Sequence, residues 1–130
     1  MSGIAALHSA ISPDVQTAIP GLPHNIEAEQ ALLGALLVNN DVYDRVASLV
    51  NDTHFYDPVH GRIFDIAAQR IQKNALASPV TLKAFLEDDA GLRELGGPSY
   101  LARLAGAAIS SYAARDYAQM LYDLSVRREL

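Results

Sequence analysis

The sequence predicts an all-α fold, a small bundle of about six helices that ends in a C-terminal αα-hairpin. Three observations lead there. Apolar residues recur at spacings of three and four in "NIEAEQALLGALL", "DPVHGRIFDIAAQRI" and "YAQMLYDL". Helix-capping residues stand ahead of several such stretches, and no segment alternates with the period of two that a half-buried strand requires. The 130 residues, half of them hydrophobic, suffice for one domain with one core. With no cysteine, packing must hold that core together, and a disulfide framework, a thiolate nucleophile and cysteine-ligated zinc are excluded.

Residues 1–22, with two prolines and no sustained period, read as a flexible N-terminal tail, so that the folded domain spans 23–130. Asn25 caps a first helix over residues 26–38. Glu27 and Glu29 lie near its positive end, where each anion is favoured by about 0.3–1 kcal/mol. Ile26, Leu33 and Leu37 line one side and Leu32 and Leu36 widen the apolar surface, so most of the circumference is buried. Gly34 sits in the middle at a cost of roughly 1 kcal/mol relative to alanine. Close approach of another backbone explains it.

A short helix over about residues 41–49 follows, with Val42, Val46, Leu49 and Val50 at helical spacing. Asp57 before Pro58 is a cap residue with proline at the first helical position, and the helix it starts reaches about Lys73 on the stripe Val59, Ile63, Ile66, Ala67 and Ile71. Thr81 caps a helix over residues 82–88 that turns Leu82, Phe85 and Leu86 inward. "GLRELGGP" reads as a turn holding one helical turn, closed by Gly96 and Gly97. Pro98 starts a short helix with Tyr100, Leu101 and Leu104, and a last helix from about Ala113 to the end aligns Ala113, Tyr117, Leu121 and Leu124. That helix ends in "SVRREL" without a Gly or Asn cap, as expected of a cut within a longer polypeptide.

The chemistry is sparse. Ten basic residues against fifteen acidic ones give a charge of −5, and no basic run exceeds Arg127-Arg128, which argues against tight phosphate-backbone binding. No apolar run approaches ~20 residues and the N-terminus lacks the basic flank of a secretory signal, so a cytoplasmic protein with no membrane partner is expected. His54, Asp57 and His60 could be drawn as a metal site, but the cap role explains Asp57 and the spacing matches no zinc pattern. Glu87, Asp88 and Asp89 read as a solvated helix end with nothing to partner them. Gly96-Gly97 lacks the Lys-Ser/Thr of a phosphate loop, and six tyrosines without a basic groove do not make a base-stacking platform. The residues thus supply no catalytic group, no cofactor site and no metal site.

Five stretches, in order, carry a resemblance: "PHNIEAEQALLGALL" at 23–37, "HFYDPVHGRIF" at 54–64, "TLKAFLE" at 81–87, "GGPSYLARL" at 96–104 and "YAQMLYDLSVRREL" at 117–130. Together they resemble the N-terminal domain of DnaB-type replicative DNA helicases, with Glu27, Glu29, Gly34, Asp57, Gly96 and Gly97 as its structural motif residues. Two departures lie in connections: "SPVTL" is shorter than the family's Pro-x-Asp-x-x-Thr stretch, and "AISSYAARDYA" lacks the Pro and Asn often found between the hairpin helices.

The resemblance implies a non-catalytic collar of a hexameric helicase whose domains pair through helical hairpins into a trimer of dimers. ATP, Mg and most DNA contacts would belong to a motor domain absent from this chain. Partners implied are a second copy of the domain and the C-terminal domain of primase, with a helicase loader as a further one. By position the hairpin is 98–106 plus 113–130, and Tyr117, Leu121 and Leu124 are the oligomer-interface candidates, facing either a partner hairpin or their own. Physical logic agrees, because a projecting two-helix hairpin leaves an apolar face that seeks a partner. Aspartate at Leu121 or Leu124 is then expected to weaken self-association more than it unfolds the head. A free-standing helical adaptor, or the helicase-binding domain of a primase, is the alternative; the "EAE" and "GG" motifs favour the helicase.

Overall fold

The computed structural model describes residues 21–130, so most of the expected N-terminal tail lies outside the described residues. Within them run seven α-helices: α1 Ile26–Val38, α2 Val42–Val46, α3 Pro58–Gln72, α4 Pro79–Leu82, α5 Ala90–Glu94, α6 Pro98–Gly106 and α7 Ala114–Arg128. Two 3-10 turns, Asp52–His54 and Lys83–Phe85, complete them, and no strand occurs among the described residues. None of these helices is long and apolar enough to cross a membrane.

Helix α1 is the axis. Asn25 caps it, its side-chain oxygen accepting from the Ala28 N–H at 3.0 Å, and every residue from Ala28 to Leu37 except Gln30 is buried. A helix apolar on all sides must be surrounded. Accordingly α2, α3, α6 and α7 all pack on it. Leu32, Leu33 and Leu36 meet Ile63 of α3, Leu101 and Leu104 of α6 and Leu121 of α7 in one continuous core.

Several boundaries differ from the sequence reading. The helix expected at 41–49 contracts to α2, with Val50 buried beyond it. Ser78, not Thr81, caps α4: the Ser78 hydroxyl accepts from the Thr81 N–H, and the Thr81 hydroxyl accepts from the Ser78 N–H. This reciprocal box with Pro79 at the first helical position moves the start forward. The chain then tightens into a 3-10 turn, so Leu82 and Leu86 face inward while Phe85 is 57% exposed.

The hairpin also differs. Helices α6 and α7 each take their main packing from α1 rather than from one another, and α7 packs in addition on α2 and on the 52–54 turn. The causes are small residues: Gly34 admits the end of α6, and the fully buried Ala114 and Ala118 bring α7 close. Helix α6 is therefore part of the head, and α7 presents a partly apolar flank outward.

Asp89, expected to be unpartnered, is held twice. Its carboxylate accepts from Arg62 at 2.7 and 2.8 Å and from the Leu92 N–H at 2.9 Å, capping α5. Chiefly the Arg62 hydrogen bonds hold its carboxyl below the usual carboxylate range. Asp89→Ala is expected to lower stability by about 1–2 kcal/mol, the size of a lost cap plus an exposed ion pair. Because the folded-state pKa is depressed, this contribution is present at neutral pH and is lost as pH falls through the folded value. Urea titrations of wild type and variant should therefore converge below about pH 4.

Candidate functional site

Two features stand out on this scaffold, one on the surface and one buried. The surface feature is the flank of α7. Its inward face is Ala114, Ala118, Leu121 and Ser125, at i, i+4, i+7 and i+11. Leu121 is 1% exposed within a single chain, so its own core accounts for its burial. It is a core residue here, and it offers no surface to a partner. Tyr117 and Leu124 are half-buried on the adjacent flank, where Met120 lies between them in an i, i+3, i+7 row. Met120 carries surface that the sequence reading overlooked because a lone methionine on a charged helix gives little signal.

The orientation of α7 is fixed at both ends. Near its start, Arg115 donates to the Arg45 carbonyl at 3.2 Å. At its end, Arg128 donates to the carbonyls of Pro23 and His54, both at 2.9 Å, and lies over the Tyr56 ring, which stacks on His24 at 4.0 Å. Halfway along, the Asn25 side-chain amide reaches the Met120 sulfur at 3.7 Å, which places the flank beside the start of α1. The His54 ring meets Tyr122 edge-on at 5.3 Å, and desolvation lowers the His54 pKa.

The buried feature is a polar chain through the core. Glu29 and His60 are both fully buried. The Glu29 carboxylate accepts from the Tyr56 N–H at 2.6 Å, from the Asp57 N–H at 3.3 Å and from His60 Nδ1 at 2.8 Å. An ionised carboxylate only accepts, which places a proton on Nδ1; in the neutral imidazole Nε2 then accepts from the Tyr100 hydroxyl, 2.6 Å away. The Tyr100 oxygen in turn accepts from the Gln30 amide at 3.1 Å, and burial pushes the Tyr100 pKa up. Among the described residues no buried side-chain polar atom lacks a partner.

This corrects the reading of the two glutamates. Glu27 is exposed in the first turn of α1, where the dipole argument holds, but Glu29 ties α1 to the start of α3 and, through His60, to α6. It supports Asp57, whose own side chain accepts from the Val59 N–H at 2.8 Å. His60 and Tyr100 were missed as partners because the two links, Glu29 to His60 and His60 to Tyr100, span 31 and 40 residues of chain. Of the glycine pair, Gly96 and Gly97 both have positive φ, 118° and 69°, which turns the chain between α5 and α6.

Among the described residues no group of three His, Asp or Glu side chains could hold a metal. The described residues form a small helical head whose last helix presents a fixed, partly apolar flank. The chain belongs to the DnaB-like helicase N-terminal domain family, whose model matches residues 21–123. It is 37% identical over 125 residues to the replicative DNA helicase DnaB of Rickettsia prowazekii, covering 95% of this chain and 26% of that protein. The Treponema pallidum DnaB is 30% identical over 108 residues, 83% of this chain and 25% of that protein. The crystal structure of the N-terminal domain of DnaB helicase from Mycobacterium tuberculosis superposes with a TM-score of 0.75 at 29% identity, covering 83% of this chain and 75% of that one. The chain thus spans about a quarter of the length of these curated relatives.

Proposed function

We propose that this chain is the non-catalytic N-terminal collar of a hexameric replicative DNA helicase, where it serves self-association and primase docking. ATP and Mg would be used by a motor domain elsewhere in the full-length protein, which would also make the main DNA contacts. Membership of the family supports the placement, and the observation that carries the binding role is the half-exposed row Tyr117, Met120 and Leu124 on a rigidly held helix. Its partner is a second copy of the domain, giving a trimer of dimers in the ring, with the primase C-terminal domain docking on the assembled collar and a loader as an occasional partner.

Sedimentation equilibrium of the chain, followed by calorimetric titration with a primase C-terminal domain, tests this. Leu124→Asp or Met120→Asp should weaken self-association by at least about tenfold while thermal stability moves little, because both side chains are already partly in water. Leu121→Asp should instead unfold the head. A chain that stays monomeric at every concentration and yields no heat with primase would remove the reading, as would ATP turnover by the purified chain.

A further inference from the structure

A second surface, sharing no residue with the α7 flank, lies where α3 ends and α4 begins. Leu76, Val80 and Phe85 are 61%, 82% and 57% exposed, three large apolar side chains within ten residues. Their backbone is held firmly. Asn74 closes α3 with a left-handed φ of 60°, Asn40 clamps Ala77 by hydrogen bonds of 2.7 and 3.0 Å, and the Leu76 carbonyl accepts from both Arg70 and Thr81, at 2.6 and 2.9 Å. Between Phe85 and α3 opens a cavity of about 150 Å³ lined by Ile66, Gln69, Arg70, Lys73, Ala75 and Phe85. A space of that size admits an aromatic or branched aliphatic anchor, benzene being the reference guest.

The charge around it is unlike that of the rest of the chain. The chain is acidic overall, yet Arg70 and Lys73 line this cavity, and the other of its two lysines, Lys83, is exposed two residues before Phe85 in the same 3-10 turn. The Arg70 guanidinium lies 5.3 Å over the Phe85 ring, and none of the three cations takes part in an ion pair found among the described residues. The nearest acid on this face of α3, Asp65, accepts from Gln69 at 2.9 Å instead. Exposed apolar groups ringed by unpaired cations fit a ligand that is apolar on one side and anionic on the other.

We propose that the Leu76–Val80–Phe85 surface docks an acidic amphipathic helix of a partner protein, with one apolar side chain of that helix seated in the Phe85 cavity and its carboxylates against Arg70, Lys73 and Lys83. Apolar anchors at helical spacing would supply the affinity, and the lysines would supply charge selectivity and a salt-sensitive on-rate.

The test uses the whole chain, isotopically labelled for amide NMR. The probe is a synthetic helical peptide with leucine at i, i+3 and i+7 and glutamate on its remaining face, beside a lysine-for-glutamate control and single-stranded oligo-dT. The expected result is shifts confined to residues 66–85 with the acidic peptide alone. Affinity should fall at least about tenfold for Val80→Asp and for the double charge reversal Lys73→Glu with Lys83→Glu. Val80 is almost fully in water, so circular dichroism should show an unchanged fold. Equal binding of the lysine peptide, binding of oligo-dT at this surface, loss of self-association in Val80→Asp, or no binding of the acidic peptide would each overturn the proposal. Apart from loss of self-association in Val80→Asp, which would also move the self-association surface off α7, these outcomes leave the α7 flank to its own test with Leu124→Asp.

Discussion

Glu29→Ala is expected to lower the stability of the domain by about 3–5 kcal/mol, the size of losing the shared charged acceptor of three hydrogen bonds at a buried position. The side chain removed is the sole side-chain acceptor recorded for the N–H groups of Tyr56 and Asp57, and it is the acceptor of His60 Nδ1. All three donors would lose that acceptor, His60 Nδ1 at a fully buried position. Each unsatisfied donor carries about 1–3 kcal/mol. Glu29→Gln is the sharper variant, because it keeps the shape and turns one of two acceptor oxygens into a donor that must face an N–H. It too should lose more than about 2 kcal/mol. By contrast Glu27→Ala, two residues earlier and in solvent, should cost no more than about 1 kcal/mol. Chemical denaturation followed by circular dichroism reads all three. Similar losses for the Glu27 and Glu29 variants would mean that the helix dipole, and not the polar chain, is what both glutamates serve.

The pair of glutamates marks where sequence reasoning stops. Local signals were legible: Asn25 and Asp57 cap the helices they precede, Pro58 and Pro98 sit at first helical positions, and the buried side of α1 follows from its leucines. These depend on neighbours three or four residues away. The polar chain does not, since Glu29, His60 and Tyr100 lie in three different helices, and only tertiary packing aligns their atoms. The C-terminal helices show the same divide. Helical period in 114–128 was plain, but phase was not, because alanines and Ser125 face the core while Tyr117 and Leu124 lie on the flank. Hydrophobicity alone ranks Tyr and Leu above Ala for burial, whereas the close approach of α7 to α1 selects the small side chains. For the same reason Phe85 was placed inside; the Ser78 cap shifts the start of α4 and the following 3-10 turn changes its phase.

Gly34→Ala should be the most damaging single-methyl addition in the chain, with a net loss of about 2–3 kcal/mol despite a gain of roughly 1 kcal/mol in helix propensity. A Cβ there would fall within the van der Waals shell of the Leu104 carbonyl oxygen and 2.9 Å from the Ala108 nitrogen. Both obstacles are backbone, so no rotamer change relieves them. Relief requires the C-terminal end of α6 to move off α1, which draws the buried Leu101 and Leu104 with it and displaces the connection leading to α7. Gly34→Val should exceed the alanine cost, since its branches meet the same wall. Gly106→Ala is the matched control in α6: its Cβ meets nothing within 4 Å, so propensity alone acts and stability should hold or rise. Thermal unfolding of the three variants separates the two effects, and a Gly34→Ala protein as stable as wild type would show that α6 can retreat freely. The consequence for function follows from the same contact. Helix α7 is aimed by its seat on α1, so a displaced α6 connection should also weaken self-association in Gly34→Ala protein that remains folded. The glycine in the middle of α1 thereby links the packing of the head to the presentation of Tyr117, Met120 and Leu124.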